Sequence, residues 1–451
     1  MKKIIVFSCV LLGSLMSKAQ SNLTLYNMKH IPQRSSVNPA LTPDCRWYLG
    51  TPGLSSIDFN FNSNAIAFKE ISNSLVPSAE PGKFTLDIEQ LGTILDHGAF
   101  VNLDVDLELI NFGFKVRKSM FSFSATEKIK TRVGIPKDLL KLAFEGNGRE
   151  NLGYEFNFNF GLEVLYTREF AVGYSRTLLK DKLTIGGRLK YIQGLNVINT
   201  VKNDVKFTTN EQNFGYTVSA DIIVNASTPS LDSKLTPEQR VSALINNGNN
   251  GFGLDIWIQY ELTDKITLSA SVLDLGVVKW ENNITNIKSR NPGASYDFNG
   301  VDILDYIGDS VNGGTGFTAL GDTLLDVFAL DTAKSSFTTG LLSEFYIGAN
   351  YHITDNHNVG ALLYGSFNNK QFFPAVTLSW NSMFGKVLAL SASYSIVRGS
   401  YTNVGLGMGL NLGPEQFYFA SDNVLGVFTG EVQNMSARFG RNHVIGKKNE
   451  D

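Results

Sequence analysis

From Gly251 the chain reads GFGLDIWIQYELTDKITLSASVLDLG, and apolar side chains fall at every second position. Phe252, Leu254, Ile256, Ile258, Tyr260 and Leu262 share one side, while Gly253, Asp255, Trp257, Gln259 and Glu261 share the other. A period of two is the signature of a β-strand with unlike faces. Thr263-Asp264-Lys265 predicts a tight turn, and the return strand alternates Ile266, Leu268, Ala270 and Val272 with Thr267, Ser269 and Ser271. The same pattern recurs. Phe345, Ile347, Ala349, Tyr351 and Ile353 oppose Glu344, Tyr346, Gly348, Asn350 and His352. Leu388, Leu390, Ala392, Tyr394 and Ile396 oppose Ser391, Ser393 and Ser395, and Val404 to Leu412 alternates with Asn403, Gly405, Gly407, Gly409 and Asn411. Phe156, Phe158, Phe160, Leu162, Val164 and Tyr166 read as one further stripe.

Each run is about as long as a tilted membrane-crossing strand, roughly 9–11 residues. A soluble sandwich also alternates, so the connections decide between the two. Short turns (TDK, TDNH, GPE) alternate with long polar connections, of which 281–339 is the largest. Short turns at one rim and long loops at the other are the habit of outer-membrane barrels. In hydrocarbon no water satisfies backbone N–H and C=O groups, so a sheet there must close on itself. The expected fold is all-β, a transmembrane antiparallel β-barrel, with fifteen to seventeen candidate runs between Trp47 and Ile445, some of them loop hairpins outside the bilayer. Trp47, Tyr48, Trp280 and Trp380 lie near strand ends and are expected in the interfacial aromatic girdle.

The first nineteen residues read as a cleaved export signal: Lys2 and Lys3, an apolar run from Ile4 to Leu15, then Ser17-Lys18-Ala19 before Gln20. The run is too short to span a bilayer as a helix, which takes about 20 residues. Losing it removes three lysines and no acid, leaving 36 basic and 42 acidic side chains, net −6. That balance argues against nucleic acid as a partner. Cys9 leaves with the signal, so Cys45 stands alone without an internal disulfide. Residues 20–46 precede the first clear strand and carry Pro32, Pro39 and Pro43, which rules out a central strand there. This segment is either an extended entry to the barrel or a plug folded into its lumen. The barrel is expected over 47–446, with a tail at 447–451. Short helices are expected over Leu139–Phe144 and Gln239–Ile245, each opened by Pro and closed by Gly or Asn, and a weaker one over Leu86–Asp96.

Five segments carry a resemblance. They are SVNPAL (Ser36 to Leu41), IPKDLLKLAFEGN (Ile135 to Asn147), YSRTLLKDKLTIGGRLKYIQGL (Tyr174 to Leu195), LSASVLDLGVVKW (Leu268 to Trp280) and GLGMGLNLGPEQFYFASDN (Gly405 to Asn423). The first resembles the Asn-Pro-Ala signature of the long-chain fatty-acid transporter barrels and of the PorV-like barrels of type IX secretion. Together the five look like an uncharacterised Bacteroidota family of exported outer-membrane barrels, over nearly the whole chain. The resemblance implies about fourteen strands and a small N-terminal element inside, with Asn38, Pro39 and Ala40 as its motif; it supplies no substrate. One departure is the ending NHVIGKKNED, where many outer-membrane barrels end on an aromatic residue.

No nucleophile elbow, zinc-binding helix or CxxC pair occurs. Gly405-x-Gly407-x-Gly409 is a strand with glycine on one face, where small residues let another backbone approach. No two of His30, His97, His352, His357 and His443 stand at helical i, i+4 spacing, so no metal, cofactor or catalytic residue is assigned. Asp274, in phase with Val272, would face lipid unless a bulge turns it inward or the strand has reached the rim. Three functions remain open. The first is a channel for small molecules, apolar ones included. The second is a partner barrel in a secretion or surface-assembly complex, docking through 281–339. The third is a barrel enzyme with a rim serine beside Asp96/His97 or Asp355/His357. The expected surroundings are outer-membrane lipid.

Overall fold

The computed structural model describes residues 22–41, 43, 45–63, 75–77, 84–86, 99–229, 248–298, 329–368, 371–397, 400–425 and 434–447, with single positions at 236, 238, 239, 242, 245 and 327. The signal at 1–19, Asp96 with His97, most of the Leu86–Asp96 segment, the middle of 281–339 and the end of the tail lie outside them.

In chain order the strands are β1 (Cys45–Gly50), β2 (Ser56–Ser63), β3 (Leu75–Pro77), β4 (Phe84–Leu86), β5 (Ala99–Val116), β6 (Ser119–Ile135), β7 (Glu155–Asn157) and β8 (Gly161–Leu178). There follow β9 (Leu183–Thr209), β10 (Tyr216–Ser227), β11 (Asn249–Thr263), β12 (Ile266–Trp280), β13 (Asn286–Ser289), β14 (Ala294–Phe298), β15 (Leu330–Ala333) and β16 (Phe337–Gly340). The last are β17 (Glu344–His352), β18 (His357–Asn368), β19 (Gln371–Phe384), β20 (Leu388–Val397), β21 (Ser400–Leu412), β22 (Glu415–Ser421) and β23 (Asn434–Lys447).

Neighbours pair antiparallel, and the sheet closes. β1 and β2 lie end to end as one stave, hydrogen-bonded to β23 on one side (Trp47 opposite Ile445, Ile57 opposite Phe439) and to β5 on the other. The result is a closed antiparallel barrel of 14 strands. Its outward positions are apolar, with Phe252 70% and Leu378 60% exposed, while Ser391, Ser393 and Ser395 on the inward face of β20 are buried. Soluble domains bury the stripes that this chain displays, so the exterior suits hydrocarbon. The tight turns, such as 264–265 and 413–414, stand at the rim where β1 begins and β23 ends. The long connections stand at the other.

On one side the wall is much taller than on the other. β9 runs for 27 residues, well beyond the roughly 9–11 that cross a bilayer. Its far end pairs with β7 and β10, β10 pairs with β13 and β14, and β13 pairs with β15. The 281–339 stretch, expected to be a loop, therefore carries four short strands of this raised wall. The aromatic run from Phe156 to Tyr166 is not one stripe: it breaks between β7 and β8, and Phe156 turns into the raised wall beside Phe207, fully buried. Helix α1 (Leu23–Tyr26) belongs to the N-terminal segment, and α2 (Lys137–Glu145) forms where Pro136 opens a helix and Gly146 ends it with φ 74°. Glu238, Gln239, Ser242 and Ile245 are helical, and Thr236 and Gln239 bond each other's backbone N–H as a capping box.

Two of the expected girdle residues face inward. Tyr48 is 1% exposed and donates to Asn111 across the lumen wall; Trp280 is fully buried, stacked near Phe337 and bonded to Thr339 Oγ1. Each lies one step out of phase with its outward neighbours, a parity that position near a strand end does not reveal. Trp380 does face outward, 39% exposed.

Candidate functional site

Residues 22–41 lie inside the cylinder. The proof is the spread of their partners. Thr24 bonds Ser393 Oγ on β20, Asn27 donates to Ser379 on β19, and Tyr26 Oη shares a 2.8 Å bond with Ser269 on β12. Gln33 donates to Asn442 on β23, while Arg188 on β9 and Ser271 on β12 donate to the carbonyls of Ser36 and Val37. A segment this short can touch staves all round a barrel only from its axis. Leu23, Leu25, Tyr26, Ile31, Gln33 and Asn38 are fully buried there.

Three devices hold it. First, Asp422, just past β22, accepts the N–H groups of Leu23 (3.1 Å) and Thr24 (2.7 Å) at the start of α1, where a carboxylate suits the exposed N–H groups of a helix start. Second, the wall is thinned by glycine. A Cβ on Gly407 would lie 2.5 Å from Met28 Sδ, one on Gly409 2.9 Å from Ile31 Cδ1, one on Gly348 2.7 Å from the Tyr26 ring, and one on Gly405 would overlap the Thr24 hydroxyl. The alternating glycines of β21 thus serve close approach of the N-terminal segment. Third, Asn38 knots the segment to itself: its Nδ2 donates to Tyr26 Oη (2.9 Å) and its Oδ1 accepts from Ala40 N–H (3.0 Å) across Pro39. Tyr26 stacks on Tyr346 with ring centres 5.6 Å apart.

Beside the segment the lumen wall carries a dense ion network. Lys190 contacts Asp255 (3.0 Å), Glu169 (3.5 Å) and Asp274; Lys128 contacts Glu169 (3.0 Å) and Asp274 (3.2 Å); Arg188 contacts Asp255 (2.7 Å). It lines a crevice of about 80 Å³. Asp274 joins it through a bulge: the register against β11 slips between Leu254 and Ile256, Asp274 takes φ 58°, and its N–H donates to Asp255. The bulge alternative for Asp274 is the one realised. The rest of the network was readable in the β5–β6 hairpin, where Asp104 and Asp106 stand opposite Lys130 and Lys128. An acidic stripe facing a basic one across a turn needs a common polar side.

Towards the short-turn rim the lumen widens into two joined cavities of about 490 and 790 Å³, sharing Lys29, Glu261, Thr267 and His352. His352 faces this space, 3.3 Å from Thr267 Oγ1. His357 Nδ1 meets Ser382 Oγ at 2.7 Å and stacks near Trp380, at the short-turn rim rather than the outer one. His443 pairs with Glu415 at 2.7 Å. His352, His357 and His443 thus have separate partners. Among the described residues no cluster of three metal-ligating side chains occurs.

A family model of proteins of unknown function, DUF5723, matches residues 39–422. The chain belongs to that family. No curated protein matches it. Among solved structures it is similar to the toluene transporter TodX of Pseudomonas putida, at 9% identity and a TM-score of 0.38 over 95% of this chain and 94% of that one. It is similar also to the toluene transporter TbuX of Ralstonia pickettii, at 9% identity and 0.40 over 90% and 91%. The translocator domain of the autotransporter NalP from Neisseria meningitidis follows at 8% and 0.32 over 88% and 87%. The architecture rests on the strand pairing itself, and at these scores the likenesses add no functional argument.

Proposed function

We propose that this protein is an outer-membrane channel for small polar solutes, kept shut by its own N-terminal segment. The supporting observation is the position of residues 22–41 on the axis of a closed barrel, held by hydrogen bonds and seated against glycines rather than built into the sheet. A wall strand cannot leave without opening the cylinder; an axial segment can. The lining favours polar cargo. An apolar molecule would strip water from Lys128, Lys190, Asp274 and their partners without replacing it, whereas polar groups can exchange places with that water. This narrows the sequence expectation, which included apolar ligands. The short-turn rim, where β1 and β23 meet, is assigned to the periplasm and the raised wall to the cell exterior. The alternative role as a partner barrel in a secretion complex finds no support in these observations.

The test is conductance and liposome uptake with the purified barrel, native and lacking Gln20 to Asp44. The native protein should stay closed most of the time and the deletion should conduct ions and admit small sugars. A deletion barrel that is folded and still impermeable rejects the proposal.

A further inference from the structure

The outward face of β8 carries Phe170, Val172, Tyr174, Arg176 and Leu178 in succession. Val172 is 62% and Tyr174 42% exposed, on the side that meets lipid. Arg176 stands in this face among apolar neighbours: Leu178 follows it, and Ile185 lies opposite it on β9. Phe114, Phe121 and Tyr174 stack in a row across β5, β6 and β8, with ring centres 5.3 and 5.2 Å apart. Such a row marks the interfacial girdle, and Arg176 is one outward step nearer the short-turn rim. It therefore sits where hydrocarbon gives way to headgroups. A guanidinium at that depth costs free energy unless an anion meets it. Its guanidinium lies by the Tyr174 hydroxyl, and no carboxylate among the described residues pairs with it.

The turn that follows adds two more cations. Lys180 and Lys182 are exposed and have no carboxylate partner among the described residues. The turn's own acid, Asp181, is held by Lys118 at 2.8 Å, and both of those side chains line the lumen cavity rather than the lipid face. The neighbouring turn contributes Asp264 and Lys265, one charge of each sign. Leu179, Lys180 and Asp181 take φ of 49°, 54° and 72°, a left-handed conformation that bulky side chains rarely adopt. The strained turn leaves Leu179 64% exposed, between Arg176 and Lys180 along the chain. An exposed leucine set among cations matches a bilayer surface, apolar below and anionic above.

We infer that this corner of the short-turn rim is a headgroup site for one anionic phospholipid of the inner leaflet. Arg176 clamps the lipid phosphate through two N–H groups, as a planar guanidinium can. Lys180 and Lys182 close over it from the turn, and the acyl chains run up the outward face past Tyr174 and Ile185. The inference stands apart from the gate; only the choice of leaflet rests on assigning the short-turn rim to the periplasm.

The test is native mass spectrometry of the full-length barrel, titrated in detergent with phosphatidylglycerol, phosphatidylethanolamine and lipid A in turn. One phosphatidylglycerol should bind saturably and survive detergent removal, while phosphatidylethanolamine should not. Each cation near an anionic lipid surface is worth on the order of fivefold. R176Q/K180Q/K182Q should therefore weaken binding at least tenfold, and K180R/K182R, which keeps the charge, should bind as the native chain does. Should the triple variant lose the heat-modifiable mobility of a folded barrel, R176Q alone carries the test at about fivefold. Equal retention of phosphatidylethanolamine, or undiminished phosphatidylglycerol binding by the charge-removing variant, overturns the inference. Lipid A retained in preference to phosphatidylglycerol also overturns it, by placing this rim outward, and conductance of the deletion barrel still decides the gate.

Discussion

Asp422→Ala should release the N-terminal segment while leaving the barrel closed. The Asp422 carboxylate is 4% exposed and accepts two backbone N–H groups, from Leu23 and Thr24, both fully buried. It lies just beyond the last residue of β22, so no ladder bond depends on its side chain. Removing it leaves two buried donors without acceptors, at about 1–3 kcal/mol each. Discounting for water that enters the vacated space, the loss is about 2–4 kcal/mol, and at 1.4 kcal/mol per factor of ten the unseated population rises roughly 30- to 700-fold. Asp422→Asn keeps one acceptor oxygen and should give about half the energetic effect. Two readouts follow the same equilibrium: exchange of amides 23–31 by mass spectrometry, and single-channel open probability. Both should rise together in Asp422→Ala. Native exchange rates in Asp422→Ala, with the barrel intact by heat-modifiable gel mobility, would refute the reasoning that this carboxylate holds the gate.

Three further outcomes are expected. Gly405→Val places methyl groups where the Thr24 and Ser393 hydroxyls sit, so the segment should be displaced and conductance should approach that of the deletion barrel. Asp274→Ala takes from Lys128 and Lys190 one of the two carboxylates they share and leaves them Glu169; the loss should stay at or below the about 3–5 kcal/mol of a fully broken buried pair, and the heat-modifiable band should convert at a lower temperature. Ile258→Arg sets a charge on the outward face of β11, where Ile258 is 44% exposed, and should cost about 2–4 kcal/mol in denaturant titrations of the barrel refolded into vesicles if that face meets mid-bilayer lipid.

Much of the wall was legible because a period of two is a local signal. Each alternate pair on β11, β17, β20 and β21 declares its face from two neighbours in sequence, and the fold orients them accordingly. Parity fails where a bulge adds one residue. Asp274 turned inward for that reason, and the sequence could pose the bulge but not choose it. For Trp280, nearness to a strand end points to the girdle, but its side depends on the phase of every residue after that bulge, and that phase turns it inward. The candidate site was harder. Its contacts join residues hundreds of positions apart, such as Thr24 to Ser393 and Gln33 to Asn442, and no periodicity encodes such pairs. The prolines at 32, 39 and 43 excluded a strand but did not decide between an entry segment and a plug. Apart from the Asn38-Pro39-Ala40 resemblance, the glycines of β21 are the sequence clue that something approaches the wall from inside.

The raised wall has a consequence for how the mouth is reached. At about 3.3 Å per residue and a tilt near 40°, the 27 residues of β9 climb roughly 65–70 Å, against a hydrocarbon thickness of about 30 Å. Farther round the barrel, β18 and β19 run for only 12 and 14 residues and climb much less. The entrance is thus a harbour with a breakwater on one flank. If the proposed channel opens, a large polymer such as a surface sugar chain would be hindered from that side, while a small solute would have access over the low sill. An antibody fragment bound at the sill should obstruct entry, and one bound at the crest near Asn213 should not.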